Sequence, residues 1–423
     1  MKEDFLHYIW KFKKFSTNNL KTESGETLEV ISLGTHNLLA GPDFLNAQLR
    51  IDGQHWAGNV EIHEKSSFWY AHHHEKDEAY TNVILHVVWE HNTEVFSKNN
   101  SPIATLVLKN ILQKETLISY QALINKCSSF VNCESEVTEI DSFFRNRWLE
   151  RLYVERLNDK SKLILQKLQE SKNDWEAVLY KMLLKNFGLK INGEAFFELS
   201  EELPFSILRK NRDSVLTVEA LLFGVSNMLE VECADQYFID LKEEYKYLES
   251  KYALKKSHLT PAYFKLRPYN FPTIRLSQIA SLYNKEVNLF QQLVSCNELE
   301  NYYTIFDVSA SNYWEQHYTF GKETTSSKIK KLSKSFIDLL IVNTILPLKF
   351  CYLKATGEDA SESIFLMIEK IKKEDNRIIN SFDKIGFKTN TALGSQAQLQ
   401  LYNNYCSKNK CLQCEIGVKL MNR

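Results

Sequence analysis

The chain has 423 residues, 44% of them hydrophobic and 25% charged, with 13 glycines and seven prolines. That length supports two to three domains with a sizeable core, and those proportions exclude a disordered, collagenous or low-complexity protein. Basic and acidic side chains nearly cancel, 52 against 53, so nucleic-acid binding would need a local basic patch rather than bulk charge. In chain order, residues 3–13 read as a short amphipathic helix. Runs rich in β-branched or alternating apolar residues follow at 27–33, 44–51, 58–63, 82–89 and 103–108, separated by turn-prone Gly, Asn and Asp. Between the third and fourth run, residues 66–74 read as a helix opened by a serine cap. The order helix, three strands, helix, one or two strands predicts an α/β sandwich built on a mixed sheet. Past about residue 135 the hydrophobic period changes to that of helices. Phe144, Trp148 and Leu152 recur four apart, and similar patterns return at 174–187, 215–230, 235–252, 275–295, 328–350 and 361–382. A Pro/aromatic stretch at 266–272 breaks them. The expected class is therefore α+β, with an α/β domain over 1–115 and an all-helical domain over 116–423.

The first residues mix charge with aromatics and contain no apolar secretory core. The most apolar later stretch, 336–350, is interrupted by Asp338, Asn343 and Lys349 and is shorter than the roughly 20 residues of a membrane-spanning helix. Eight cysteines spread along so long a chain do not make a small disulfide framework. A soluble cytoplasmic protein with reduced thiols and no membrane partner is expected.

The histidines locate the chemistry. Nine of the 11 fall within the first 91 residues. In Gly58-Asn59-Val60-Glu61-Ile62-His63, strand alternation places Glu61 and His63 on one face and Ile62 on the other. Gly41-Pro42-Asp43 precedes the neighbouring strand, so a hairpin would bring Asp43 toward Glu61 and His63. Two carboxylates and an imidazole at a sheet edge suit a divalent cation: Asp43 and Glu61 as oxygen ligands, His63 to orient or activate water. Imidazole at that place tilts the choice from Mg²⁺ toward Mn²⁺.

This pattern and element order resemble the PD-(D/E)XK nuclease superfamily, whose fold is restriction-endonuclease-like. Pro42-Asp43 match the first motif element, Glu61 matches the acid, and His63 stands where the motif has lysine. The resemblance covers about the first 115 residues and implies metal-dependent cleavage of DNA or RNA.

His72-His73-His74 reads as an exposed helix end, where imidazolium suits the helix dipole. The spacing His72-x-His74 followed by Glu78 is similar to the cupin metal motif, but lacks its glycines. His86 is a single polar residue in an apolar strand, which is more often a hydrogen-bonded core histidine than a ligand. The chain closes with Cys406-x4-Cys411-x2-Cys414, and the x2 spacing lets two thiolates grip one metal. A Zn²⁺ or iron–sulfur site would need one more ligand, from Cys127, Cys133, Cys351 or a histidine.

Residues 141–190 hold 11 Lys/Arg against seven Asp/Glu, which gives modest support for a polymer-binding helical face. His317, beside Tyr313, Trp314 and Tyr318, is a secondary site candidate. The Gly-Pro-Asp-Phe turn, the Gly-Asn-Val-Glu-Ile-His strand, the Leu85-His86-Val87-Val88 strand and the terminal cysteine motif together look like an uncharacterised bacterial family of unknown function. That resemblance spans nearly the whole chain. The expected function is a metal-dependent nucleic-acid phosphodiesterase. The alternatives are a non-catalytic nucleic-acid or protein-binding module on a nuclease-like fold, and a histidine-based hydrolase of a small substrate whose Zn²⁺ depends on His72, His74 or His86.

Overall fold

A computed structural model describes residues 2–124, 130–359 and 361–422. It opens with α1 (Glu3–Lys11), whose Phe5, Leu6, Ile9 and Trp10 are buried. Six strands follow: β1 (Leu28–Ser32), β2 (Thr35–His36), β3 (Phe44–Ile51), β4 (Gln54–Lys65), then after α2 (Phe68–Ala71), β5 (Val83–Glu90) and β6 (Thr105–Val107). They form one mixed sheet in the order β1-β3-β4-β5-β6, with β2 also on β3. β1, β3 and β4 are antiparallel, whereas β5 runs parallel to β4 and β6 parallel to β5. The return from β4 to a parallel β5 requires a crossover, which the segment containing α2 provides.

The two faces of the sheet do different work. Val60 and Ile62 of β4, with Leu85 and Val87 of β5, join α1 and Tyr120 and Leu123 of α3 (Lys114–Ile124) in one core. Each such fully buried aliphatic side chain contributes about 1.5–3 kcal/mol. The opposite face of β4 carries Glu61 and His63, both buried, beneath the segment around α2. There Trp69 packs with Val83, Val95 and Ile103.

The predicted helix at 66–74 is cut to the four residues of α2. Ser66 does not cap it: its hydroxyl donates to the Thr93 carbonyl at 2.8 Å and accepts from the Asn92 and Thr93 amides. Trp69 Nε1 donates to the Phe96 carbonyl at 3.1 Å, and the Tyr70 hydroxyl donates to the Glu94 carbonyl. These bonds fix the segment against residues 92–96, so the turn after α2 is held over the sheet.

The remainder is mainly helical. Its elements are α4 (Ser142–Glu170), α5 (Trp175–Phe187), α6 (Leu189–Glu202), α7 (Phe205–Asn211), α8 (Val215–Val225), α9 (Gln236–Tyr252), α10 (Pro272–Lys285), α11 (Leu289–Ser295) and α12 (Leu299–Ile305). A two-stranded ribbon, β7 (His317–Thr319) and β8 (Lys322–Glu323), interrupts the helices. Then come α13 (Lys334–Leu340), α14 (Leu346–Thr356), α15 (Ser361–Glu369), α16 (Arg377–Lys384), α17 (Ala392–Asn404) and α18 (Glu415–Met421).

Three predicted helices are divided or begin late, and that at 215–230 ends at Val225. The pattern at 275–295 breaks between α10 and α11, where Arg212 Nη1 takes up the Val287 carbonyl at 2.9 Å. That at 361–382 breaks before α16, where Asn376 Oδ1 accepts from the Ile378 and Ile379 amides and starts a new helix. That at 328–350 begins only at α13, capped by Ser333, whose hydroxyl accepts from the Phe336 amide.

The chain divides into two compact units: Met1–Trp148 with Asn380–Lys388 and Leu399–Arg423, and Leu149–Ile379 with Thr389–Gln398. In the second unit, Lys334–Thr356 is a helical run apolar and long enough to cross a membrane, and 78% of its most apolar window is buried inside the protein. It includes a π-helical turn, Ile341–Ile345, just ahead of Pro347. Proline cannot donate to the carbonyl four residues back, and the wider turn absorbs that mismatch. Lys349, buried in α14, donates to the Cys296 carbonyl at 2.6 Å.

Candidate metal centre

The start of β3 and the middle of β4 are locked together through their acidic side chains. Asp43 Oδ2 accepts from the Ile62 amide at 2.9 Å, and Glu61 Oε2 accepts from the Asp43 amide at 3.1 Å. The β3–β4 register slips between Phe44 and Ala47, where Asn46 takes a positive φ of 59°. Such a bulge re-aims the strand locally, and here it sets Asp43 beside Glu61. A second slip lies between Asn59 and Val60 on the β5 side. Gly58 is required there, because a Cβ would lie 2.6 Å from the Asn82 carbonyl oxygen.

Imidazoles from the turn after α2 meet Glu61 and His63 on this face. Glu61 Oε1 lies 3.5 Å from His63 Nε2 and 3.3 Å from His74 Nε2. His63 Nε2 lies 3.1 Å from His72 Nδ1. A tetrahedral ion with bonds of about 2.0–2.1 Å has ligand–ligand edges of about 3.3 Å. These three separations lie near that value, and the group whose ligand atoms all lie within 4.8 Å of one another is His63, His72 and His74, with Glu61 beside it. The triple histidine is therefore more than an exposed helix end. His73 takes a left-handed φ of 61°, and the chain turns so that His74 is buried while His72 stays open to solvent. Tyr80 stacks on His74 with ring centres 3.7 Å apart, and Trp69 packs against it edge-on.

His86 lies behind the cluster. Its Nε2 is 2.9 Å from His63 Nδ1, and it is fully buried. One of the two nitrogens in this contact donates according to the tautomer; were His63 Nε2 to hold a metal, its Nδ1–H would donate to His86, as a second shell that fixes ring orientation. His86 is thus the hydrogen-bonded core histidine, one step removed from the donors.

Burial dominates the electrostatics. It pushes His63 down to about 2, helped by His86, His74 and His72, and pushes His86 down to about 3. Burial also lowers His74. These imidazoles are neutral at pH 7, the form that ligates metals. Burial, with the adjacent Asp43, pushes the Glu61 carboxyl up to about 9. A carboxyl held protonated in so enclosed a place is relieved by a cation.

A second group adjoins the first. Glu3 and His7 of α1 gather with Asp43, and His7 Nε2 is 3.3 Å from Asp43 Oδ2. Burial opposes charging His7, but the Asp43 carboxylate, with Glu3 and Asp4, outweighs it and holds the imidazole above its usual range.

Asp43, Glu61, His63 and His86 are thus brought together. The sequence points to His72 and His74 as ligands only through the small-substrate hydrolase alternative, and it does not single out Glu3 or His7. The signal available was the eight-residue interval from His63 to His72, enough for a strand to end and turn back over its own face. His317 lies elsewhere, in the second unit. It is buried on β7, bonded through Nδ1 to the Tyr313 carbonyl at 2.9 Å and stacked on the Tyr313 ring.

Cys406, Cys411 and Cys414 line one small cavity together with Cys133. Cys351 lies in α14 of the other unit, and Cys127 is outside the described residues.

The architecture is that of an α+β protein with a histidine–carboxylate cluster on one face of its N-terminal sheet. The chain belongs to a family of proteins of unknown function, DUF2851, whose family model matches residues 3–377. No curated protein and no solved structure matches it.

Proposed function

We propose that the protein is a metal-dependent hydrolase, with nucleic-acid phosphodiesters as its substrate class. The observation that carries this reading is the gathering of ligand atoms of His63, His72 and His74 within 4.8 Å of one another, with Glu61 Oε1 3.3 Å from His74 Nε2 and 3.5 Å from His63 Nε2. Three imidazoles and one carboxylate favour Zn²⁺ or Mn²⁺ over Mg²⁺, which prefers an all-oxygen shell. A bound ion supplies Lewis acidity and a water of lowered pKa.

The residues of the chain do the rest. Glu61 connects the two groups, with Oε1 toward His63 and His74 and Oε2 on the Asp43 amide. His7, whose charged form the neighbouring Asp43 favours, is placed to stabilise developing negative charge or to protonate a leaving oxygen. Exposed His72 leaves the cluster an open side for substrate. The acid pair on adjacent strands and the parallel return of β5 support the phosphodiester reading.

The three-histidine set also fits hydrolysis of a small substrate, and the assay separates the two. Mn²⁺- and Zn²⁺-loaded protein is offered single- and double-stranded DNA and RNA and, in parallel, a chromogenic phosphodiester and carboxylic ester. The proposal expects cleavage of polynucleotide that falls at least 100-fold in Asp43→Asn and in Glu61→Gln. Equal cleavage by both variants, or ester hydrolysis alone, overturns it. Salt-sensitive polynucleotide binding without cleavage, unchanged in both variants, would identify a binding module instead.

A further inference from the structure

Two pieces of the first unit far apart in sequence border one apolar cavity with their cysteines. Cys133 follows α3, whereas Cys406, Cys411 and Cys414 lie in the two short turns between α17 and α18. All four line one cavity walled by Leu123, Val131, Phe382, Phe387 and Ile416. All four are free thiols, and Cys414 is buried.

Cysteines can be buried simply as small apolar residues, but three details go beyond packing. Asn132 Nδ2 donates to Cys411 Sγ at 3.3 Å. The backbone at Ile416 and Gly417 and the Trp148 side chain lie against the Cys414 thiol and favour its ionised form. Donors directed at sulfur stabilise a thiolate, the form a metal binds. Gly417 closes the motif: a Cβ there would lie 2.1 Å from the Cys411 carbonyl oxygen, so only glycine lets α18 pass so close to that turn. Burial raises all four thiols, with their thiol neighbours adding to it at Cys133, Cys406 and Cys414.

We propose that Cys133, Cys406, Cys411 and Cys414 form a four-thiolate site for a thiophilic metal centre. Cys133 supplies the ligand that the terminal motif lacks. Four soft donors select zinc or iron–sulfur chemistry over hard cations. Binding deprotonates the thiols and fastens the C-terminal segment to the chain after α3. The site stands apart from the histidine cluster, and its failure leaves the hydrolase reading intact.

The test is elemental analysis and visible absorption of full-length protein purified without oxygen, compared with Cys133→Ser, Cys414→Ser and a His72→Ala/His74→Ala variant. The proposal expects a centre lost alike from both cysteine variants and retained by the histidine variant. In the histidine variant, about four irons with acid-labile sulfide and a brown colour identify a cluster, and about one colourless zinc identifies a single ion. Should a serine variant fail to fold, thiol titration of the native wild type decides. Four thiols shielded until the metal is stripped support the site, and four thiols reactive from the start overturn it. Metal content unchanged in Cys133→Ser, or lost only from the histidine variant, also overturns it.

Discussion

His63 is the pivot of the cluster, because each of its ring nitrogens faces another group. Nε2 faces Glu61 Oε1 and His72 Nδ1, and Nδ1 is engaged by His86. A second-shell partner of this kind typically controls metal affinity by about 10–100-fold. His86→Ala removes it without touching the donors, and chelator competition is expected to show metal binding weakened within that range. His86→Gln, which offers an amide oxygen as acceptor, should recover part of the loss. Affinity unchanged in His86→Ala would mean that His63 is oriented by packing alone. Alternation in β4 is enough to pair Glu61 with His63 and to turn Ile62 into the core, so this part of the site was legible from sequence. The contribution of His72 and His74 was not. It depends on the left-handed turn at His73 and on side-chain anchors to residues 92–96, neither of which has a periodic signature.

At the scale of elements, the site depends on how closely β4 and β5 approach. Gly58 lies against the Asn82 carbonyl and the Ile84 side chain. Gly58→Val should cost on the order of 1–3 kcal/mol of stability by overpacking, measurable by chemical denaturation. A neutral effect would show that the strands can part without penalty. The helical elements carry a buried cation of their own. The Lys160 ammonium donates to Asn343 Oδ1 at 2.8 Å and to the Val342 carbonyl in the π turn. Burial, with repulsion from Arg156, pushes it down to about 7, against partial relief from Glu374. An unfolded lysine holds its proton to about 10.4, so between those values the unfolded chain binds more protons and stability rises with pH. Lys160→Met should flatten that rise between pH 7 and 9.5, a difference on the order of 1 kcal/mol in denaturation midpoints. Parallel pH profiles for the two proteins would contradict this. The strands and the longer helices were legible because period and turn residues agree. The breaks between α10 and α11 and before α16 were not, because they depend on Arg212 and Asn376 capturing backbone groups that no hydrophobic pattern records.

At the scale of the molecule, each proposed metal site would draw together residues that are separate in the chain. The histidine site joins β4 to the turn after α2, and the cysteine site joins residue 133 to 406–414. An ion that binds only the folded state raises stability by mass action. Stripping the metal with chelator should therefore lower Tm, and re-adding Zn²⁺ should restore it. No shift would mean that both clusters are built without metal. The most direct test of the central claim is the metal content of the wild type against His72→Ala/His74→Ala, with Cys414→Ser as the background for both. The histidine–carboxylate centre predicts about one equivalent of Zn²⁺ or Mn²⁺ in the first protein and none in the second. Equal content in the two proteins would contradict it.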